Sequence, residues 1–111
     1  MNFGPIVPEM PAAGLPKGAY LLDVREDEEW VAGHAPDAVH IPLGELGGQT
    51  EQVPRDQQVY VICRAGSRSA YAAQALGAAG CNVVNVADGM LGWESADRPM
   101  VSESDAPPFV A

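Results

Sequence analysis

Three short segments in which apolar residues dominate predict strands. Tyr20–Val24 is the first, and Val59–Ile62 and Val83–Val86 are the other two. The last two are rich in β-branched residues, a composition typical of strands covered on both faces, as in parallel sheets. The chain is therefore expected to build its core around buried parallel strands.

Two segments between these strands have helical character. Glu26–Ala32 carries acids in its first turn, where the helix dipole favours negative charge, and it stops at Gly33. Ala70–Ala79 has alanines and a leucine at helical spacing and stops at Gly80. Because strand, helix and strand alternate at the length that a right-handed crossover needs, the sequence predicts an α/β domain with a parallel sheet.

The remaining segments carry weaker signals. They predict, in chain order, a short strand near Ile6–Val7 within a Pro/Gly-rich lead-in (residues 1–19), a strand at Ala38–Ile41, a helical turn at Leu43–Gly47, a polar loop over Gln49–Gln58 and a loop into a short helix over Asp88–Trp93. An irregular tail over about residues 97–111, frayed at its end, completes what we expect to be a single domain spanning residues 1–111.

Composition and charge narrow the classes of function. Fifteen acidic residues against six Lys and Arg give a formal net charge of −9, so nucleic acid and anionic membranes are not expected partners. No apolar stretch is long enough for a membrane helix, and the first residues lack the pattern of a secretion signal. We therefore expect a cytoplasmic protein.

The segment between the second strand and the second helix carries the candidate chemistry. Cys63 follows a predicted central strand, at the edge where open α/β sheets place their ligands. A loop that curls around this cysteine into a helix can direct several backbone N–H groups at one point, and Gly66 supplies the freedom for that curl. Arg64 and Arg68 add positive charge. The predicted site is Cys63 as the nucleophile with an anion cradle from Arg64, Ala65, Gly66, Ser67, Arg68 and Ser69.

The position of Cys63 beside a helix N-terminus and two arginines predicts an ionised thiol that accepts sulfur from a donor. Cysteines at helix N-termini or beside arginine have lowered pKa values, and the thiolate is the competent nucleophile. The positive charge of Arg64 and Arg68 would attract a small anionic sulfur donor, a dianion such as thiosulfate. The site would then hold an anionic persulfide on Cys63 after sulfur transfer, with no metal or organic cofactor required. The alternative is that Cys63 is only a buried strand-end residue with surface arginines nearby.

The loop Cys63-Arg64-Ala65-Gly66-Ser67-Arg68-Ser69 resembles the active-site loop of single-domain rhodaneses, Cys-Arg-x-Gly-x-Arg-Ser, at every fixed position. Further segments look like the other signatures of this family: Leu22 to Glu26, Gly33 to Ala38, Ile41-Pro42 and Asp88 to Trp93. In the last of these, Asp88 stands where a second glycine is common. The resemblance spans about residues 20 to 100. It implies a five-stranded parallel sheet flanked by helices, and a Cys63 persulfide that passes sulfane sulfur from thiosulfate or another donor to a thiophilic acceptor such as cyanide or a thiol.

Two other functions stay open. The same fold could be a non-catalytic or regulatory module that carries sulfur or binds an unidentified protein. Phosphatase and arsenate reductase relatives resemble this site too, but their loops read Cys-x5-Arg, whereas this chain reads Cys-x4-Arg and has Ser69 where their arginine would stand. The shorter loop favours a single terminal sulfur over a tetrahedral oxyanion.

Several other residues have candidate roles. Asp23 and Arg25 are expected to support the site by pairing with loop groups, unless they form a solvated or helix-capping pair. Cys81 precedes its strand whereas Cys63 follows its own, so a disulfide between them is disfavoured. The two histidines, His34 and His40, are expected to be structural. Trp93 either borders the mouth of the site or fills the edge of the core.

Overall fold

A computed structural model describes residues 6–111, which form a five-stranded parallel sheet with helices on both faces. The strands are β1 (Glu9–Met10), β2 (Tyr20–Asp23), β3 (Val39–His40), β4 (Gln58–Ile62) and β5 (Asn82–Val86). The helices are α1 (Asp27–Ala32), α2 (Leu43–Leu46), α3 (Ser67–Ala78) and α4 (Gly89–Ser95), with short 3-10 turns at Ala12–Gly14 and Thr50–Gln52. The α/β prediction and the parallel sheet are confirmed.

The strands lie in the order β1-β5-β4-β2-β3, which puts β4 at the centre of the sheet. Asp23 of β2 is in register with Ile62 of β4, and Val61 of β4 with Asn85 of β5. Because all pairs are parallel, the loops that follow these three strands emerge side by side at the carboxyl edge. Cys63 lies in the middle one.

The alternation along the strands divides the core into two halves. Val59 and Val61 of β4 face α3, whose buried residues include Ala72 and Ala73, so that helix packs close to the sheet. The other face of the sheet packs against α4. This contact is formed by strand residues Tyr60, Ile62, Val84 and Val86 and by helix residues Met90 and Trp93. Both faces of the central strands are therefore buried, as their continuous apolar sequence predicts.

Three elements differ from the sequence-based prediction. The first strand lies at Glu9–Met10 rather than near Ile6–Val7, because its pairing with β5 begins where the Pro8 carbonyl accepts the Asn85 amide. Thr50–Gln52 forms a 3-10 turn inside the predicted polar loop. The helix α3 begins at Ser67 rather than Ala70, because Gly66, with φ +105°, turns the chain from the loop directly into the helix.

The segment after α4 is irregular and runs back over α1. His34 and Val101 exchange backbone hydrogen bonds, and Glu103 and Phe109 donate their amides to carbonyls of α1. Within residues 6–111 no helix has the length and apolarity to cross a membrane.

Candidate active site

The Cys63 loop spans residues 63–66, between the end of β4 and the start of α3 at Ser67. It is shorter than expected, because α3 begins earlier than the sequence predicts. Cys63 is 1% exposed and follows β4 directly, and Gly66 is the last residue before the helix. A Cβ at Gly66 would collide with the carbonyl oxygen of Ala87, in addition to the strain of a positive φ. The tight passage of the chain past Ala87 therefore explains why a glycine is needed at this position.

The Cys63 sulfur accepts hydrogen bonds from the loop and from the first turn of α3. The Gly66 amide lies 3.1 Å from Sγ, and the buried Ser69 hydroxyl lies 3.3 Å from it. Burial by itself raises the pKa of Cys63, but the bonds from the Ser69 hydroxyl and from the amides of Ser69, Gly66 and Ala65 outweigh burial, so the pKa lies below its ordinary value. The sulfur is therefore biased towards the thiolate.

Arg68, by contrast, points to an acid that sequence reasoning missed. Its Nη1 and Nη2 atoms donate to the two carboxylate oxygens of Glu29 on α1, at 2.7 and 2.9 Å. The hydrogen bond from Arg68 is the main reason that the pKa of Glu29 is lowered, and the bond to Glu29 is the main reason that the pKa of Arg68 is raised, with a smaller contribution from the charge of Cys63. The acids of α1 look like helix-dipole residues in sequence, and nothing there indicated this partner.

Arg64 is exposed, and its Nε donates to the carbonyl oxygen of Ala111 at 3.0 Å. Both arginines of the loop therefore bond to acceptors other than Sγ. The sequence predicts that both arginines belong to the anion cradle, whereas the contacts that Sγ makes in the structure come from one hydroxyl and from backbone amides. Ala65 and Ser67 are exposed at the rim of the loop, whereas Ser69 is fully buried beside the sulfur.

Asp23 and Arg25 are buried and pair with each other. The Arg25 guanidinium bonds both carboxylate oxygens of Asp23 and donates to the carbonyl oxygen of Gly33 at 2.8 Å. The expectation that they pair with loop groups is not met, and they are not solvated. The helix-capping alternative fits, because Arg25 bonds the carbonyl oxygen of Gly33, the residue that ends α1. Their link to the site is indirect: the charge of Arg25 helps to lower the pKa of Glu29, after the larger effects of Arg68, burial and the Glu26 amide.

Asn85 is a second residue that sequence reasoning missed. Its side-chain nitrogen donates to the carbonyl oxygen of Gly66 at 3.2 Å and to the Glu9 carboxylate at 2.8 Å. The signal was present, because Asn85 is a polar residue inside the β-branched run of β5, and a buried amide requires partners. On the other side of the loop, the amides of Met90 and Leu91 in α4 donate to the carbonyls of Cys63 and Arg64. The loop is thus held from β5 and from α4.

The other candidates lie apart from the sulfur. The His34 ring stacks on Trp30 and bonds the Ala35 carbonyl and the Glu103 carboxylate, which are structural contacts. The His40 ring bonds the Arg25 carbonyl. Cys81 is buried just before β5, at the end of the sheet opposite to Cys63. The Trp93 indole donates to the Pro99 carbonyl and packs in the core.

Comparison with known proteins identifies the same fold. Residues 8–96 match the family model of the rhodanese-like domain. The chain is 42% identical over 80 residues to the protein YtwF of Bacillus subtilis, which is provisionally described as a sulfurtransferase, covering 72% of this chain and 78% of YtwF. It is also 42% identical over 74 residues to B. subtilis YrkF, provisionally described as a sulfur carrier protein; the match covers 66% of this chain but only 40% of YrkF.

A solved structure agrees with these sequence matches. The rhodanese-related protein of Thermoplasma volcanium superimposes with a TM-score of 0.80 at 35% identity, covering 85% of this chain and 97% of that protein.

Proposed function

The chain belongs to the rhodanese-like domain family, and from this membership we propose that it transfers sulfane sulfur through a persulfide on Cys63. The observation that carries the proposal is the pair of hydrogen bonds on Sγ from the Gly66 amide and the Ser69 hydroxyl, together with the lowered pKa of Cys63. A thiol whose pKa is lowered in this way ionises more readily, and its thiolate is the competent nucleophile.

In the first step, the Cys63 thiolate attacks the outer sulfur of a donor such as thiosulfate or a persulfide. A new S–S bond forms at Sγ, the S–S bond of the donor breaks, and its electron pair leaves with sulfite or with the donor thiolate. The product is Cys63–S–S⁻, whose charge would be stabilised by the donors that already act on Sγ, namely the amides of Ala65, Gly66 and Ser69. The predicted cradle residues Arg64 and Arg68 are bonded to the Ala111 carbonyl and the Glu29 carboxylate.

In the second step, a thiophilic acceptor such as cyanide or a thiolate attacks the terminal sulfur of the persulfide. The S–S bond breaks, its electron pair returns to Sγ, and Cys63 is again a thiolate. No net oxidation or reduction of the protein occurs over the two steps. The hydrogen bonds that lower the pKa of Cys63 also make it a good leaving group in this second step.

The test is the intact mass of the protein after exposure to thiosulfate. We expect the addition of one sulfur atom, its removal by cyanide, and loss of both in Cys63→Ala. Cys81→Ala is the matched control, because Cys81 is the other buried free cysteine and lies at the opposite end of the sheet. Loading that survives in Cys63→Ala and disappears in Cys81→Ala would overturn the assignment.

The similarity to YrkF favours one second candidate, a module that carries sulfur received from a protein partner. Such a module would accept sulfur on Cys63 from a protein persulfide but would not react with thiosulfate alone. Phosphatase or arsenate reductase chemistry would instead appear as Cys63-dependent hydrolysis of a phosphate ester or reduction of arsenate. We also propose a cytoplasmic location, since the proposed reaction needs Cys63 as a free thiol, which a reducing compartment preserves.

A further inference from the structure

The contact between Arg68 and Glu29 lowers the net positive charge at the site to which a sulfur donor would bind. The pair is bidentate, and the side chains are only 34% and 16% exposed. Bidentate pairs of this kind are geometrically well defined and stronger than single hydrogen bonds. The charge of Arg68 is therefore already balanced by a carboxylate before any anion enters the site.

Further negative charge lies beside Glu29, at the start of α1. Glu26 is close enough for its charge to add to the raised pKa of Arg68, and Asp27 and Glu28 complete the acidic first turn of α1. The lowered pKa of Glu29 keeps it ionised at neutral pH. What remains for the anion is mainly the amide cradle, which suits a single negative charge on a terminal sulfur.

We propose that Glu29 sets the charge preference of the site, so that sulfane sulfur donors carrying one negative charge or none react better than dianionic thiosulfate. This inference rests on the proposed function. Glu29 acts by neutralising Arg68, so it is a specificity residue and takes no part in bond breaking. The repulsion between Glu29 and a donor doubles when the donor charge doubles, and this makes the preference measurable.

Two small donors of similar shape isolate the effect of charge. Thiosulfate is a dianion, and methanethiosulfonate is the monoanion in which a methyl group replaces one oxygen. The reaction at Cys63 is the same with both: the thiolate takes the outer sulfur, the S–S bond of the donor breaks, and sulfite or methanesulfinate leaves with the electron pair. The ratio of the two kcat/KM values, with cyanide as acceptor, reports the preference of the site.

The decisive variant is Glu29→Gln, which keeps the shape of the side chain and an oxygen for the Glu26 amide. We expect kcat/KM to rise about threefold for methanethiosulfonate and about tenfold for thiosulfate, because the negative charge that balances Arg68 is removed, and Arg68 is close enough to Cys63 for their charges to interact. Glu28→Gln is the matched control, since it removes the same charge from an exposed position on the same helix. Its effect should be small and should vanish with added salt.

The outcomes separate the two proposals. Loading by neither donor in the wild-type protein overturns the proposed function and this inference with it. Loading by both donors, with a kcat/KM ratio that favours thiosulfate or that Glu29→Gln leaves unchanged, overturns the inference alone. An equal change of the ratio in Glu28→Gln also overturns it, because the effect would then belong to general surface charge. The inference is supported if the preference for the monoanion falls in Glu29→Gln and does not fall in Glu28→Gln.

Discussion

Asn85 of β5 donates its side-chain N–H to the carbonyl oxygen of Gly66, the residue whose own amide bonds the Cys63 sulfur. Glu9 of β1 fixes the orientation of this side chain, because a carboxylate can only accept and so holds the nitrogen of Asn85. A row of contacts thus runs from the edge strand, through β5, to the reactive sulfur. The edge of the sheet helps to aim the amide that stabilises the thiolate.

The first prediction follows from this row of contacts. In Asn85→Ala, the Gly66 carbonyl loses a hydrogen-bond donor, so the Gly66 amide is held less firmly against the sulfur. We therefore expect the pKa of Cys63 to rise. The pKa is measured from the pH dependence of Cys63 alkylation in a Cys81→Ala background. Asn82→Ala, at the exposed start of the same strand, is the control and should leave the alkylation profile unchanged. A profile that is identical in Asn85→Ala and wild type would show that Asn85 has only a packing role.

The lowered pKa of Cys63 also predicts how stability depends on pH. Because the thiol is more acidic in the folded than in the unfolded chain, the thiolate stabilises the fold above the unfolded pKa, and this contribution is lost as pH falls through the folded pKa. The free energy of unfolding of the wild-type protein, relative to Cys63→Ala, should therefore increase with pH across that interval. Urea titrations at several pH values measure it.

A matched variant checks the origin of this pH dependence. Cys81→Ala keeps Cys63 and its donors, so it should show the same pH-dependent increase over Cys63→Ala as the wild-type protein. A difference between wild type and Cys63→Ala that stays constant with pH would contradict the prediction.

A third prediction concerns the buried ion pair of Asp23 and Arg25. Arg25→Ala leaves an unpaired carboxylate at a fully buried position and should lower the free energy of unfolding by about 3–5 kcal/mol. Arg55→Ala is the control: Arg55 is exposed and, within residues 6–111, bonds only the Ala79 carbonyl, so its loss should cost at most about 0.5 kcal/mol. Denaturation of both variants in urea compares them. Equal stability of the two would mean that the buried pair contributes no more than a surface contact.

The parts of the fold that sequence predicts well are those set by local pattern. The β-branched runs of β4 and β5 and the alanine-rich α3 were placed to within three residues, because their burial pattern is visible in a few consecutive positions. The weak β1 was misplaced, because two residues at the edge of a sheet carry no periodicity of their own. Its position is set by pairing with a strand far along the chain.

The same reasoning explains what was found and missed in the site. The placement of Cys63 and the need for Gly66 follow from a strand, a turn and a helix that are contiguous in sequence. Arg68 and its partner Glu29 are 39 positions apart in the sequence, and Asn85 and its partner Glu9 are 76 positions apart. These residues therefore meet only in the folded chain. Charge counted along the loop therefore indicated a positive site, whereas the pairing with Glu29 makes it more nearly neutral.

The last prediction tests the turn that joins the loop to α3. Gly66→Ala combines a positive φ with a collision between the new Cβ and the Ala87 carbonyl, so either the loop or the end of β5 must move. We expect a loss of more than about 2 kcal/mol in the free energy of unfolding, together with a higher pKa for Cys63, because the amide that bonds its sulfur is displaced. Gly44→Ala is the matched control: a Cβ there meets no atom within 4 Å, so this variant should be neutral or more stable by up to about 1 kcal/mol. Urea denaturation and the alkylation profile are measured on both variants. If Gly66→Ala unfolds and alkylates like Gly44→Ala, the sulfur does not depend on this turn for its ionisation, and the hydroxyl of Ser69 would have to account for the acidity of Cys63.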